Sequence, residues 1–309
     1  MVDEDDSYGE KEHPMTDNPA SIPLLAFSAA LADLVRGAER SIVSVQSGRA
    51  RSSGFSWRPG LVVAAESTLA EDGEISVVAH DKRSSRARLV GRDPSSDVAV
   101  LRVEREDLAQ APTPASNATV GALAVVLGAR DGAPAASFGA VSFVGPQWRS
   151  LRGGLIDGRI ELDANLNRAT EGGIALDAEG RAFGMAVFGP GRRAIVIPMA
   201  TIERVADILV AQGKVGRGYL GLRLQPIRID SGGIGAIAIS IDPEGPGAAA
   251  GVKQGDVIVG WDGQAVDGVH RLLRALGPDS VGSTVKLALR RAGEPLELTL
   301  TIRERPESQ

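Results

Sequence analysis

The chain of 309 residues contains no cysteine, which excludes disulfides and thiolate metal centres. Histidine occurs three times, as His13, His80 and His270, so a neutral-pH proton relay has few places to find its imidazole. Aromatic residues make up only 4%, and no basic stripe of the kind that tracks nucleic acid is present. The one sizeable apolar run, residues 22–35, has an acidic N-terminal flank, is interrupted by Asp33 and lacks a cleavage pattern. It therefore reads as a short helix docked on the body, neither an export signal nor a membrane span. On that basis the chain is expected in the cytoplasm, starting at Met1 or at Met15, where the later start would remove most of the acidic tail.

What is abundant is glycine, 38 residues, together with short valine-rich runs, a composition that favours β structure with tight turns. Hydrophobic content of 43% and charged content of 24% are those of an ordinary globular protein, and the length suggests two domains. The overall charge of −5 is concentrated at the start. Residues 1–20 hold Asp3, Glu4, Asp5, Asp6, Glu10, Glu12 and Asp17 against Lys11, a balance of −6 that leaves the rest near +1.

The organisation expected from these patterns is a disordered acidic tail over 1–21, a helix at 22–37, and about a dozen short strands between 41 and 198. A helix follows over 199–212 with Ile202, Val205, Ala206, Ile208 and Leu209 as its buried stripe and Gly213 as its cap. After a linker at 213–217, a second unit over 218–305 orders short strands around two helical pieces, near 247–251 and 269–275.

Several stretches carry chemistry or its frame. Residues 53–57 read S-G-F-S-W, residues 89–103 read L-V-G-R-D-P-S-S-D-V-A-V-L-R-V, and residues 167–174 read N-R-A-T-E-G-G-I. Residues 213–221 read G-K-V-G-R-G-Y-L-G, residues 245–252 G-P-G-A-A-A-G-V and residues 255–258 G-D-V-I. In this order they resemble the HtrA/DegP family of trypsin-like proteases, over nearly all of 41–303. The resemblance implies a mostly β fold: a trypsin-like double β-barrel over 22–212, preceded by its short helix, and a PDZ domain of α+β type over 218–305.

The family's triad maps onto Glu66, Asp97 and Glu171. Asp97 keeps the acid. Glu66 stands where the histidine base belongs, Glu171 where the serine nucleophile belongs, Ala169 where an oxyanion-hole glycine belongs, and Ile174 replaces a proline. A carboxylate cannot take the place of an activated hydroxyl by the same route, so the resemblance implies a catalytically degenerate member, not an enzyme, with no cofactor. Three carboxylates at triad spacing repel one another, at roughly 4 kcal/mol per pair for about 4 Å and an effective dielectric near 20. Either a carboxyl holds its proton, an arginine such as Arg168 neutralises the group, or a cation sits among Glu66, Asp97 and Glu171.

In the second unit the resemblance assigns Gly218, Tyr219, Leu220 and Gly221 to a carboxylate-binding loop, in which glycines let successive N–H groups converge. Val269, Leu272 and Leu273, with Leu276, can wall a pocket for a ligand's last side chain, or simply pack the core; His270 is placed to read a hydroxyl or to stand exposed. The expected role is therefore a scaffold, adaptor or chaperone-like regulator that binds protein C-termini or extended peptides. An intact protease homologue is a further expected partner, and the resemblance implies a trimer with Phe27 at its interface. Two alternatives remain open: hydrolysis rerouted through Ser67 or Thr170, and a metal-responsive regulator built on the three carboxylates.

Overall fold

The computed structural model describes residues 21–306 apart from 106, 116, 230 and 231, so the acidic tail lies outside the described residues up to residue 20. Helix α1 (Ser21–Ala38) leads into a first closed antiparallel barrel. Its strands are β1 (Ile42–Ser47), β2 (Ala50–Arg58), β3 (Leu61–Ala65), β4 (Ile75–Val78), β5 (Ser84–Asp93) and β6 (Val98–Val103), in the order β1-β2-β3-β6-β5-β4. β7 (Leu123–Arg130) and β8 (Ala133–Gly145) open the second barrel. A small hairpin, β9 (Trp148–Arg149) with β10 (Leu155–Ile156), projects from it. β11 (Arg159–Asp163), β12 (Ile174–Leu176), β13 (Ala182–Phe188) and β14 (Ala194–Pro198) close it in the order β11-β14-β13-β12-β7-β8.

The alternation of side chains along these strands accounts for the architecture. On β3, Val62 and Ala64 face the interior of the first barrel while Leu61, Val63 and Ala65 face the seam between barrels. On β7, Ala124 and Val126 face the second barrel's interior while Val125, Leu127 and Ala129 enter the same seam. Strands buried on both faces read as continuous apolar runs, and the two-residue period assigns each residue to one core or the other. Helix α2 (Met199–Gln212) completes the seam with Ile202, Val205, Ala206 and Leu209, all fully buried. Gly213 ends it in the left-handed conformation (φ 75°), its N–H returning to the Leu209 carbonyl at 2.8 Å. α1 rests on the seam through Leu31, Leu34 and Val35, whereas Leu24, Leu25 and Phe27 stay exposed.

The second unit starts with β15 (Gly218–Tyr219). Its sheet contains β16 (Leu222–Arg228), β17 (Ile234–Ile241), β18 (Val257–Trp261) with the short β19 (Gln264–Ala265), β20 (Thr284–Arg291) and β21 (Glu294–Thr301). β22 (Arg303–Glu304) returns to pair with β15. Helices α3 (Pro246–Ala249) and α4 (Val269–Ala275) cover its core of Leu220, Ala238, Ile258, Leu272, Leu287 and Leu300. β16 ends the sheet, paired only with β17, and its free edge lies beside α4. The mostly β architecture of double barrel plus PDZ-type unit agrees with the sequence reading. The β9–β10 hairpin was not expected: it consists of two paired residues per strand, too short for periodicity to register.

Truncating Leu209, buried at the junction of α2 and both barrels, removes packing from three elements at once. Leu209→Ala is expected to lower stability by about 2–5 kcal/mol, read as a shift in denaturant midpoint by tryptophan fluorescence.

Candidate functional site

Glu66 opens a single turn of 3₁₀ helix that follows β3 directly. Its N–H donates to the Asp97 carbonyl at 3.2 Å, which brings the residues at the family's base and acid positions side by side. The carboxylate of Asp97 is engaged by the neighbouring residue: the Ser67 backbone N–H donates to Oδ1 at 2.7 Å and the Ser67 hydroxyl to Oδ2 at 3.2 Å. Asp97 adopts a positive φ of 61°, a conformation aspartate tolerates better than most residues. Burial pushes its carboxyl up to about 6, the Ser67 hydrogen bonds oppose the rise, and the charge of Glu66 adds to it.

Glu66 is buried and turns to two guanidiniums, Arg92 Nε at 3.6 Å and Arg152 Nη1 at 3.8 Å. Arg92 arrives from β5 and Arg152 from the β9–β10 connection, so their meeting at Glu66 is a product of topology. Glu171 sits across the cleft. Its carboxyl is raised from the ordinary value by burial and then by Asp97, with Arg192 and Arg168 pulling the other way. Arg168 thus acts on Glu171 as expected, but behind Arg192, and the neutralisation of Glu66 falls to two arginines that the sequence did not single out. The cation reading finds no support: among the described residues no group of three acidic or histidine side chains is arranged to hold a metal ion.

The loop before Glu171 is closed upon itself. The Ala169 N–H donates to the Asn167 side-chain oxygen at 2.8 Å, and the Thr170 and Glu171 N–H groups donate to the Asn167 carbonyl at 2.9 and 2.8 Å. The amides that would face a developing oxyanion therefore already have acceptors. Thr170 is fully buried with its hydroxyl donating to the Asn167 carbonyl, which removes it as a rerouted nucleophile. Ser67, by contrast, is exposed and lines a cavity of about 230 Å³ together with Asp97, Trp148, Ile156 and Phe188. None of the histidines described enters this cleft: His80 keeps a buried Nδ1 without a partner, and His270 lies in the second unit.

A larger cavity, about 730 Å³, runs between β16 and α4 and is also lined by residues 217–220. Its apolar wall includes Leu220, Leu222, Val269, Leu273 and Leu276, with His270 at the rim. Leu272 lines it and is at the same time fully buried in the core, so the packing use foreseen for these leucines is realised at this position. The N–H groups of Leu220 and Gly221 have no acceptor among the described residues. Gly221 has a φ of 70°, and a Cβ there would lie 2.8 Å from Gly245 Cα, so glycine is required for the loop to pass. Tyr219 is fixed by its hydroxyl, which donates to Asp242 at 2.9 Å. Four arginines, Arg152, Arg217, Arg274 and Arg305, line the same cavity. Burial lowers the Arg217 guanidinium from its ordinary value, the charge of Asp93 opposes this, and the nearby charges of Arg305 and Arg152 lower it further. Sequence reasoning passed over all four. Arg217 adjoins the glycine motif and could have been noticed, whereas Arg305 reaches the site only because β22 pairs with β15. Arg149 meets Asp279 at 2.5 Å and so ties the β9–β10 hairpin to this unit.

These two sites lie on a scaffold with known relatives. A trypsin-like peptidase domain is matched over residues 52–185 and a PDZ domain over residues 218–302. The chain belongs to the HtrA/DegP family, which joins a trypsin-like peptidase domain to a PDZ domain. Over 254 residues it is 34% identical to a probable periplasmic serine endoprotease DegP-like of Halomonas elongata, an alignment covering 76% of this chain and 52% of the relative. The protein of the same description from Bartonella henselae is 32% identical over 266 residues, with 81% and 52% covered. The chain thus spans about half the length of the curated relatives it matches. Among solved structures, the serine endoprotease from Yersinia pestis superimposes with a TM-score of 0.66 at 24% identity, covering 89% of this chain and 98% of that one. The HtrA-type protease AlgW with decapeptide gives 0.65 at 21%, with 90% and 99% covered. At that identity the superpositions speak to the fold.

Two expectations are corrected by these relatives. The reading of the chain as no enzyme is overturned, because the relatives it matches are named serine endoproteases. The cytoplasmic location is overturned likewise, because they are named periplasmic, and no helix among the described residues is long and apolar enough to cross a membrane. The signals that misled were both local: two triad positions read without the relatives, and an N-terminal flank read for export.

Asp97 provides a test of the cleft's electrostatics. A carboxyl whose folded pKa is raised to about 6 from 3.8 holds more protons in the folded state, so its contribution to stability is lost as pH rises from about 4 to about 6. The loss is on the order of 3 kcal/mol at its upper bound. Asp97→Asn keeps an acceptor for the Ser67 N–H and removes the charge. Its stability relative to the natural chain is expected to improve between pH 4 and pH 7.5, measured by urea denaturation at each pH.

Proposed function

We propose that the chain is a periplasmic HtrA-type peptidase-family protein that captures extended polypeptide C-termini in its PDZ groove. The observation that carries this reading is the composition of the groove: an apolar wall on α4, two amides at Leu220 and Gly221 without an acceptor among the described residues, and four lining arginines. A peptide's terminal carboxylate takes the amides and guanidiniums, its last side chain takes the leucine wall, and its backbone extends the sheet at β16. The resemblance to HtrA proteins adds oligomeric assembly, for which the exposed Leu24, Leu25 and Phe27 of α1 supply apolar area.

One observation favours a further reading of the cleft. With glutamates at positions 66 and 171, hydrolysis by this chain runs through groups other than a histidine–serine relay. The Ser67 hydroxyl, 3.2 Å from an Asp97 carboxylate of raised pKa, is the exposed nucleophile with an acceptor at hand, and a carboxylate of this pKa can take a proton near neutral pH. Casein turnover that disappears in Ser67→Ala while the fold is retained supports this; turnover unchanged in Ser67→Ala places the reaction elsewhere.

The groove is tested with a fluorescent peptide ending in an apolar residue. Binding is expected with a free C-terminus, to weaken by roughly tenfold or more on C-terminal amidation, and to weaken similarly in Arg217→Ala. Equal binding of the free and amidated peptides overturns the reading.

A further inference from the structure

A third cavity, of about 360 Å³, lies away from the PDZ groove, where the β1–β2 hairpin, the β7–β8 turn and residues 168–169 meet. Four arginines line it: Arg49, Arg51, Arg130 and Arg168. The single acidic residue of the lining, Asp131, is held by Arg51 at 2.7 Å. Among the described residues, Arg49, Arg130 and Arg168 make no ion pair within 4.0 Å. Ser44, nine-tenths buried, also faces the cavity; its oxygen accepts the Gly132 N–H at 3.1 Å, and its proton has no acceptor among the described residues. Three guanidiniums outside any ion pair thus come from three separate segments around one opening, one of them, Arg168, also acting at longer range on Glu171, with a buried hydroxyl free to donate.

From this arrangement we propose that the cavity binds an acidic peptide segment carrying several carboxylates. Guanidinium forks pair with carboxylates in bidentate geometry, and charges set on three separate segments around an opening of this size suit spaced carboxylates better than one small anion. The sequence contains such a segment in residues 1–20, with seven acidic residues against Lys11. The same chemistry can be supplied by an acidic stretch of another polypeptide. Arg168 lies three residues before Glu171, so the site adjoins the loop that bounds the peptidase cleft.

The test uses the full chain and a labelled, C-terminally amidated peptide with the sequence of residues 1–20, which denies the PDZ groove its carboxylate. Anisotropy is expected to show binding that weakens with salt and falls by roughly tenfold or more in Arg49→Glu/Arg130→Glu, a variant that leaves the Arg51–Asp131 pair in place. Retained melting temperature and unchanged binding of a free C-terminal peptide confirm that the variant is folded and keep this result separate from the groove's own test. A full chain carrying Asp3→Asn, Glu4→Gln, Asp5→Asn and Asp6→Asn identifies the source. Tighter binding of the added peptide than by the natural chain identifies residues 1–20 as the resident occupant, and equal binding assigns the site to another polypeptide; both support the site. Affinity unchanged by the charge reversal overturns it, as does a DNA oligonucleotide of equal charge that binds as tightly and is lost in the same variant.

Discussion

One buried serine ties the two barrels together at the point where the chemistry lies. Ser53, wholly inaccessible on β2, donates its hydroxyl to the Ala169 carbonyl at 2.9 Å and accepts the Ala129 N–H at 2.8 Å, while its backbone N–H donates to the Glu171 carbonyl at 2.8 Å. First barrel, β7 and the loop at position 171 thus share a single residue. The fit is close enough that a Cβ on Gly172 would meet the Ser53 carbonyl at 2.3 Å, and one on Gly128 the Ala169 carbonyl at 2.2 Å. Buried hydrogen bonds of this kind contribute modestly when made and cost more when one partner is removed. The cleft's geometry is therefore a consequence of inter-barrel packing and holds whatever side chains occupy the triad positions.

On that fixed frame the electrostatics have been rewritten. Asp97 lies in the middle, with its carboxyl raised by burial and by Glu66, and it in turn raises Glu171. The strain of adjacent acids is relieved in two ways at once: Glu66 is offset by Arg92 and Arg152, while Asp97 and Glu171 shift toward their protonated forms. The two responses divide according to reach, since Arg92 and Arg152 meet Glu66 and the hydrogen bonds to Asp97 come from Ser67.

Arg152 also links the two sites. It lines the PDZ groove and at the same time approaches Glu66 and the Pro94 carbonyl. With the Arg149–Asp279 pair, it makes the β9–β10 hairpin a physical link between the groove beside α4 and the cleft. The double barrel and the PDZ-type unit supply the scaffold, and arginines brought together from separate segments line the cavities on it.

The sequence by itself determined a mostly β chain with short strands, a helix over 199–212 and tight glycine turns, and the motifs that resemble a known family placed the double barrel, the PDZ-type unit and positions 66, 97 and 171 on it. Alternating apolar residues, a 3.6-residue stripe on α2 and glycine at forced turns are local signals that no partner can reverse. It also sufficed to mark the glycine turn at Gly221, where a positive φ and the close approach of Gly245 require glycine. Which charges face one another was decided only by tertiary structure. Arg92, Arg152, Arg217 and Arg305 are ordinary polar residues in their own segments, and they become site residues because strand pairing carries them across the fold. Thr170 was lost as a nucleophile for the same reason, as a hydroxyl in an exposed-looking motif becomes buried when the loop folds onto Ser53. Patterning is written in neighbours along the chain, whereas long-range electrostatics depends on which strands lie side by side.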